Sequence, residues 1–285
     1  MTKLVPAVAR SFDILELFLG EQEELSMPEI VAQTRLPRTT VFDLVGTLIA
    51  RNYLSRTAGD RDRFELGFMS LQLGSAYRRR SRLVGVGQRI AEEVAATCSE
   101  TVNIALLDGS DVVYLCTVES KQAVRIAVST GRRLPAHCTS LGKVLLAGLS
   151  IQELEDIYPA DYEFSARTQH TITSLEILSK ELEEVRSLGY AIERDESNEG
   201  VSCLAAPIHD ESDCVVAALS VTVPTHRLNA EEELRLLPMV QRGALRVSAR
   251  LGSRPSQAQL ASYKKTNEFD STSSPGECLG KRETL

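Results

Sequence analysis

The sequence predicts an α+β protein of two domains, a small winged helix-turn-helix at the N-terminus and a larger domain with a mostly antiparallel sheet. In residues 1–66, helical spacing of apolar residues gives way to two short strand-like runs around a turn. In residues 83–252, strand-like runs alternate with stretches that carry helix caps. Residues 67–82 are predicted to form a linker helix, and 285 residues are enough for two separate cores.

Composition is that of an ordinary globular protein, although the chain contains no Trp. No apolar run approaches the length of a membrane-spanning helix, and the N-terminus lacks the basic and then apolar pattern of a secretory signal. A cytoplasmic protein is therefore expected. The six cysteines form no Cys-x-x-Cys pair and no cluster with histidine. This favours reduced, buried thiols over disulfides, a metal site or a redox sensor, and no cofactor is expected.

Two helices flank the small domain. The first covers residues 4–20, where Val8, Phe12, Leu15 and Leu19 recur at helical spacing and are expected to close the domain core. The linker helix at 67–82 ends in a run of arginines, which either contact phosphate or form a solvated face.

Residues 37–51 are the stretch around which the rest is organised, a predicted short helix with one apolar face. That face comprises Val41, Leu44, Val45, Leu48 and Ile49. The other face, at the N-terminal end, carries Arg38, Thr39, Thr40, Phe42 and Asp43. Short polar residues there suit a helix whose tip enters the major groove of DNA.

The flanking segments complete a winged helix-turn-helix. Ser26 and Pro28 are predicted to open a preceding helix, as N-cap and first-turn residue, and residues 34–37 form the turn between the helices. Downstream, the runs 53–57 and 63–66 are predicted to pair as a hairpin, or wing, around a Gly-Asp turn.

Charge is unevenly distributed along the chain. The formal net charge is −7, yet residues 34–82 contain ten arginines and four acidic residues, a local balance of about +6. The remainder therefore carries about −13. A basic patch of this kind neutralises phosphates and predicts salt-dependent DNA binding. The alternative is a solvated arginine-rich face.

The second domain is predicted to alternate strands and helices. The predicted strands are Thr101–Leu107, Val112–Val118, Ala123–Ser129, Tyr190–Asp195, Ser202–Ile208 and Val215–Val223. The predicted helices run to about Cys98 and over residues 140–149, 151–158, 175–188 and 229–251. Ser150 with Glu153 forms a capping box, Gly189 is a C-cap, and Asn229 opens the last helix. The polar composition of residues 253–285 predicts a disordered tail.

The stretches Leu25–Ile30, Leu36–Val41 and Phe64–Gly67 resemble the start of IclR-family transcriptional regulators. Two positions depart from the family pattern. Arg35 stands where the turn usually carries Gly, so the turn must accommodate a larger residue. Asp43 replaces a commonly basic residue. Asp43 either accepts a hydrogen bond from a cytosine amino group, repels phosphate or forms an internal salt bridge, and the internal role is favoured.

The stretches Gly131–Lys143, Gly200–Ile208 and Ala217–Thr222 resemble the effector-binding domain of the same family. With the N-terminal match, the resemblance covers about nine-tenths of the chain. It implies a GAF-like sheet with a pocket for a small metabolite, often a carboxylic acid. The positions that contact ligand in relatives are Ser140, Leu141, Glu193, Cys203, Ser220 and Thr222. Relatives carry Asp where Glu193 stands, and a carboxylate there favours a ligand with a hydroxyl or amine donor.

The residues themselves are consistent with such a pocket. Thr139 or Ser140 is expected to cap a helix whose start favours an anion, with Lys143 adding positive charge one turn on. Strand alternation places Ser220 and Thr222 on one face, where they either line a pocket or bond to neighbouring backbone. His137 is expected to be a core residue bonded to backbone.

The sequence supports an enzymatic function less well than a regulatory one. Ser140 and Lys143 match the Ser-x-x-Lys pattern of serine acyl-transferases, but the companion Ser-Asp-Asn and Lys-Thr-Gly motifs are absent from the sequence. No phosphate loop is present, and residues 85–87 lack the strand and third glycine of a dinucleotide site. The protein is not expected to be an enzyme.

The resemblance implies a ligand-responsive repressor or activator that binds double-stranded operator DNA as a homodimer, with pairing of dimers into tetramers as a further step. Arg38, Thr39, Thr40 and Phe42 are then expected to read bases, and Arg51, Arg56, Arg61 and Arg63 to contact mainly phosphate. The alternative is a metabolite-binding protein without specific DNA recognition, given Arg35 and Asp43.

Overall fold

The computed structural model describes residues 4–20, 22–60 and 62–254. Arg61, Cys278 and all but the first two residues of the predicted tail lie outside the described residues. The chain divides into two compact units, the first ending at Ser81 and the second beginning at Arg82.

The first unit is a helix-turn-helix with a wing. Its elements are α1 (Pro6–Glu16) with a 3₁₀ turn at Leu17–Leu19, β1 (Leu25–Ser26), α2 (Met27–Thr34), α3 (Arg38–Ala50), β2 (Leu54–Arg56), β3 (Arg63–Leu66) and α4 (Phe68–Arg80). The hairpin β2–β3 is antiparallel, as predicted, and β1 joins the other side of β3. The two-residue strand β1 is too short to be predicted from alternation. The Ser26–Glu29 capping box starts α2, with the Ser26 N–H donating to the Glu29 carboxylate at 2.7 Å.

The core of this unit uses a different face of α1 from the predicted one. Ile14 and Phe18 are buried in the core that includes the apolar face of α3, and Leu15 packs against it as predicted, whereas Val8, Phe12 and Leu19 are exposed. The apolar residues of this helix cover more than one face, so spacing alone does not identify the buried one. In addition, the α-helix ends at Glu16 and tightens to a 3₁₀ turn, which shifts Leu19 away from the expected stripe.

The second unit is a six-stranded antiparallel sheet with helices on both faces. Its elements are α5 (Arg82–Cys98), β4 (Thr101–Asp108), β5 (Asp111–Val118), β6 (Arg133–Pro135), a 3₁₀ turn (Ala136–Cys138), α6 (Ser140–Ala147), α7 (Ile151–Ile157), α8 (Leu175–Leu188), β7 (Ala191–Arg194), β8 (Val201–His209), β9 (Val215–Pro224) and α9 (Ala230–Leu251). The strand order is β6-β5-β4-β9-β8-β7, and every pairing among the described strands is antiparallel. The predicted α+β class is confirmed.

Each face of the sheet has its own core. Helices α5 and α9 pack on the face that carries Leu219 and Val221, and α6 and α8 contribute to the core on the other face. The predicted caps are present: the Glu153 N–H and the Glu232 N–H donate to Ser150 Oγ and Asn229 Oδ1, and Gly189 ends α8 with φ +73°. Alternation along β9 therefore directs Ser220 and Thr222 to the α6 side.

One predicted strand is wrong. Residues 123–129 have no regular strand pairing, and Val124 is 61% exposed. The edge of β5 pairs instead with β6, a three-residue strand that the sequence did not indicate. The apolar residues of 123–129 supply strand propensity, but a strand also needs a ladder partner, and none of the described strands pairs with this segment.

Within the part of the chain that the structure describes, no helix is both long enough and apolar enough to cross a membrane.

Candidate nucleic-acid interface and effector site

The turn between α2 and α3 adopts a left-handed conformation at Arg35, with φ +56° and ψ +22°. Glycine usually occupies this conformation, because a residue with a Cβ atom is sterically strained there. The Arg35 N–H still donates to Val31 O at 2.9 Å, which closes the last turn of α2. The turn therefore keeps the geometry expected of glycine, at the cost of a strained residue.

The N-terminal end of α3 presents an open polar face. Arg38, Thr39 and Phe42 are exposed, Thr40 is half-buried, and the apolar side of α3 faces the core. The internal salt bridge favoured for Asp43 is wrong: its side chain is exposed and makes no ion pair with any described residue. Asp43 therefore lies on the same open face as Arg38.

The wing arginines are in different environments. Arg63 already has partners within the first unit. Its guanidinium donates to Glu24 O at 2.8 Å and forms ion pairs with the carboxylates of Glu24 at 3.3 Å and Glu29 at 3.6 Å. The expectation that Arg63 acts mainly on phosphate is therefore revised to a role in fixing the wing against α2. Arg56 lies over the Phe64 ring at 5.3 Å, and Arg51 is exposed just after α3.

The predicted effector residues meet on one face of the sheet. Glu193, Cys203 and Thr222 are register partners on β7, β8 and β9, and the Cys203 thiol lies 3.3 Å from Thr222 Oγ1. Ser220 lies two residues before Thr222 on the same face of β9 and is also buried.

Asn103 on β4 joins this cluster and was not predicted. It pairs in register with Ser220, and its amide donates to Thr222 Oγ1 at 3.1 Å. The remaining Asn103 Oδ1 is buried and has no hydrogen-bond partner among the described residues. Asn103 could have been identified from the sequence as a single Asn in a mostly apolar strand, since a buried amide normally has a hydrogen-bond partner.

Helix α6 begins directly at this cluster. Of the two candidate caps, Thr139 is the one used, since its Oγ1 accepts from the Gly142 N–H at 3.0 Å. Ser140 and Leu141 are buried in the first turn, and Ser140 Oγ has no partner among the described residues. Leu141 and Val144 of α6 share a hydrophobic core with Ala205 of β8 and Ala218 of β9, which places the start of α6 against this face of the sheet.

Glu193 is fully buried, and its two carboxylate oxygens differ in their hydrogen bonding. Oε1 accepts from the backbone N–H groups of Glu196 and Ser197 at 3.0 and 2.9 Å and from Ser197 Oγ at 3.1 Å. Oε2 is buried and has no partner in the described part of the chain. Burial raises the pKa of the Glu193 carboxyl, partly offset by these hydrogen bonds.

Lys143 does not supply free positive charge to the site, contrary to expectation. Its side chain is fully buried, and Nζ lies 2.5 Å from one carboxylate oxygen of Glu181 and 2.5 Å from one of Glu196. Burial raises the pKa of Glu196 to about 7, although Lys143 lowers it. The ammonium group therefore joins α6 to α8 and to the loop after β7.

His137 is a core residue bonded to backbone, as expected. Its Nε2 lies 3.2 Å from Ser165 O, and its ring packs edge-to-face on Phe164. Burial lowers the pKa of His137. The five described cysteines are free thiols, and no group of metal-ligating side chains occurs among the residues that the structure describes.

Comparison with known proteins identifies both units. The domain described as "Bacterial transcriptional regulator IclR C-terminal" matches residues 76–249, and the "IclR helix-turn-helix domain" matches residues 7–58. The chain belongs to the IclR family. It is accordingly a DNA-binding transcriptional regulator with a C-terminal effector-binding domain, and the predicted resemblance is confirmed.

IclR-family relatives match over most of their length. The HTH-type transcriptional regulator KdgR of Escherichia coli (strain K12) is 30% identical over 248 residues, which cover 87% of this chain and 93% of KdgR. The crystal structure of an IclR-family regulator from Alicyclobacillus acidocaldarius is 26% identical, covers 88% of this chain and 100% of its own, and has a TM-score of 0.79. An IclR homologue from Microbacterium hydrocarbonoxydans, complexed with 4-hydroxybenzoate, has the same fold, with 23% identity, coverage of 86% and 98%, and a TM-score of 0.75.

Proposed function

We propose that this regulator binds a pseudo-palindromic operator as a dimer, in the cytoplasm, and that a small organic-acid-like metabolite adjusts its affinity. The observation that carries the proposal is the open N-terminal end of α3, where Arg38, Thr39 and Phe42 are exposed while the opposite side of the helix is buried. A recognition helix must present side chains to base edges in this way. Arg51 and Arg56 then suit phosphate contacts beside it.

Exposed apolar side chains of the first unit support dimerisation. They are Leu4, Val5, Val8, Phe12 and Leu19 in and around α1, and Leu66, Phe68, Leu71, Leu73 and Tyr77 in and around α4. Large apolar side chains concentrated in two segments of a small domain favour a protein–protein interface over a solvated surface. A dimer built on them would carry two recognition helices, as a palindromic operator requires.

An organic-acid effector is supported by the start of α6. The backbone N–H groups of Ser140 and Leu141 stand in the first helical turn, where no carbonyl of the same helix reaches them, and such a turn favours a carboxylate. The hydroxyl groups of Ser140 and Ser220 are buried and lack partners among the described residues, so they are available for a ligand. The 4-hydroxybenzoate held by the Microbacterium homologue is a compound of this class.

The second candidate is a metabolite-binding protein without specific DNA recognition. The exposed Asp43 favours it, because a carboxylate on the open end of α3 weakens phosphate binding. An acyl-transferase role has less support. Lys143 would have to serve as base for Ser140, and its ammonium is already bound by two carboxylates.

Replacing Arg38 by Ala tests the DNA-binding proposal. We expect operator affinity to fall by about 1–3 kcal/mol, with a smaller loss on a scrambled duplex, because a base contact adds discrimination that phosphate contacts do not. The measurement is a mobility shift on the DNA upstream of the protein's own gene, repeated at several salt concentrations. Arg89→Ala, an exposed arginine on α5 of the second unit, is the matched control and should leave both affinities unchanged. Equal affinity of the wild-type protein for operator and scrambled DNA would instead support the second candidate.

A further inference from the structure

Helix α3 carries an acidic side chain almost opposite its buried side. At 3.6 residues per turn, the side chain of Asp43 leaves the helix about 140–160° away from those of Val41, Val45 and Leu48, which are buried. Asp43 itself is exposed. Its carboxylate therefore stands on the part of the helix surface farthest from the domain core, which enters the major groove when α3 acts as a recognition helix.

No cation of the protein neutralises this carboxylate. The residues one turn away from Asp43 on the helix surface are Thr39, Thr40, Gly46 and Thr47, and all four are uncharged. Among the described residues, the Asp43 side chain makes neither an ion pair nor a hydrogen bond, and Thr47 Oγ1 donates to the backbone oxygen of Asp43 at 2.8 Å. A carboxylate that loses water when the helix binds DNA must therefore find its donor on the DNA.

The major groove offers few such donors. Only the N4 amino group of cytosine and the N6 amino group of adenine donate there, whereas guanine presents two acceptors and thymine an acceptor and a methyl group. In adenine, the acceptor N7 lies beside the amino group and repels the second carboxylate oxygen. In cytosine, a C–H group occupies that side. Cytosine is therefore the base that an unpaired carboxylate tolerates best.

Resting on the operator binding proposed above, we propose that Asp43 is a specificity-determining residue that accepts a hydrogen bond from the N4 amino group of a cytosine. In a two-fold symmetric complex, each half-site then contains a C·G pair at the same position. The negative charge lowers affinity for every duplex, because the phosphates repel it, and lowers affinity least where cytosine supplies a donor. Asp43 thus favours specific over non-specific binding.

The test begins with selection from a library of duplexes that have a randomised central segment, bound by the full-length protein and then sequenced. We expect a two-fold symmetric motif with a C·G pair at one matching position in each half-site. In competition binding, replacing this pair by A·T in one half-site should lower the affinity of the wild-type protein about 5- to 100-fold.

Asp43→Asn then identifies the position that this residue reads. Asn has nearly the same size, and its amide pairs with both N6 and N7 of adenine. The selected base at this position should therefore change from cytosine to adenine, while the rest of the motif stays the same. Asp13→Asn, at an exposed position of α1, removes an equal charge outside α3 and should keep the wild-type motif.

The outcomes separate the two proposals. If the wild-type protein enriches no motif, specific operator binding fails and this inference fails with it. If it enriches a motif that Asp43→Asn leaves identical, operator binding stands and only this inference is overturned. Higher affinity of Asp43→Asn for every duplex, with no change of motif, would show that the carboxylate only repels phosphate.

Discussion

Replacing Lys143 by Met is expected to lower the free energy of unfolding of the C-terminal domain by about 3–5 kcal/mol. Lys143 is fully buried and its ammonium touches both Glu181 and Glu196. Met has a similar length and fills the same space, so the loss comes from charge and not from a cavity. Removing the cation leaves Glu196, which is buried, without a counter-charge. Urea denaturation followed by circular dichroism measures the change.

A surface lysine provides the control for this experiment. Lys180 pairs with Glu176 on α8, both side chains are exposed, and Lys180→Met should cost less than about 0.5 kcal/mol. Adding Glu181→Gln and Glu196→Gln to Lys143→Met should recover much of the lost stability, because the uncompensated charges are then gone. Equal effects of Lys143→Met and Lys180→Met would show that the buried cluster contributes nothing beyond a surface pair.

Replacing Gly142 by Ala is expected to destabilise the domain by about 3 kcal/mol and to abolish the stabilisation by bound effector. An added Cβ would lie 2.1 Å from Ala136 O and 2.4 Å from Ala136 Cα. These are backbone atoms of the adjoining 3₁₀ turn, so no side-chain rotation relieves the clash. The first turn of α6 must therefore move, and the N–H groups of Ser140 and Leu141 move with it. Thermal unfolding with and without effector measures both changes.

Gly85→Ala is the matched control for Gly142→Ala. Gly85 lies in helix α5 of the same unit, and no atom lies within 4 Å of its added Cβ. Ala should stabilise this helix by about 0.5–1 kcal/mol and leave the effector response unchanged. Wild-type stability and effector response in Gly142→Ala would contradict the close packing of α6 on the 3₁₀ turn.

Local chemistry explains which elements the sequence predicted correctly. The Ser26–Glu29 and Ser150–Glu153 capping boxes and the C-cap at Gly189 depend on residues only a few positions apart, so they mark helix ends before tertiary contacts are known. In contrast, the buried face of α1 is selected by packing on α3, and the failure of residues 123–129 to form a strand depends on which neighbour pairs with β5.

Only part of the candidate site could be predicted, because the sequence shows local patterns and not long-range contacts. A period of two placed Ser220 and Thr222 on one face of β9. The partners of Lys143 lie 38 and 53 residues away, so its neutralisation depends on long-range packing that spacing does not show. Arg63, whose guanidinium reaches Glu24 O 39 residues away, was misassigned for the same reason. Long charged side chains were the least predictable residues because their partners come from other elements.

Occupancy of the effector site is proposed to control how tightly the helix-turn-helix binds operator DNA. The decisive measurement is operator affinity with and without saturating effector, for the wild-type protein and for Ser220→Ala. We expect effector to change wild-type affinity by about 1–3 kcal/mol. Ser220→Ala should keep the effector-free affinity and require about tenfold more effector for the same change. An operator affinity that is independent of effector would show that the effector site does not control DNA binding, and an identical dose–response in Ser220→Ala would show that Ser220 does not contact the effector.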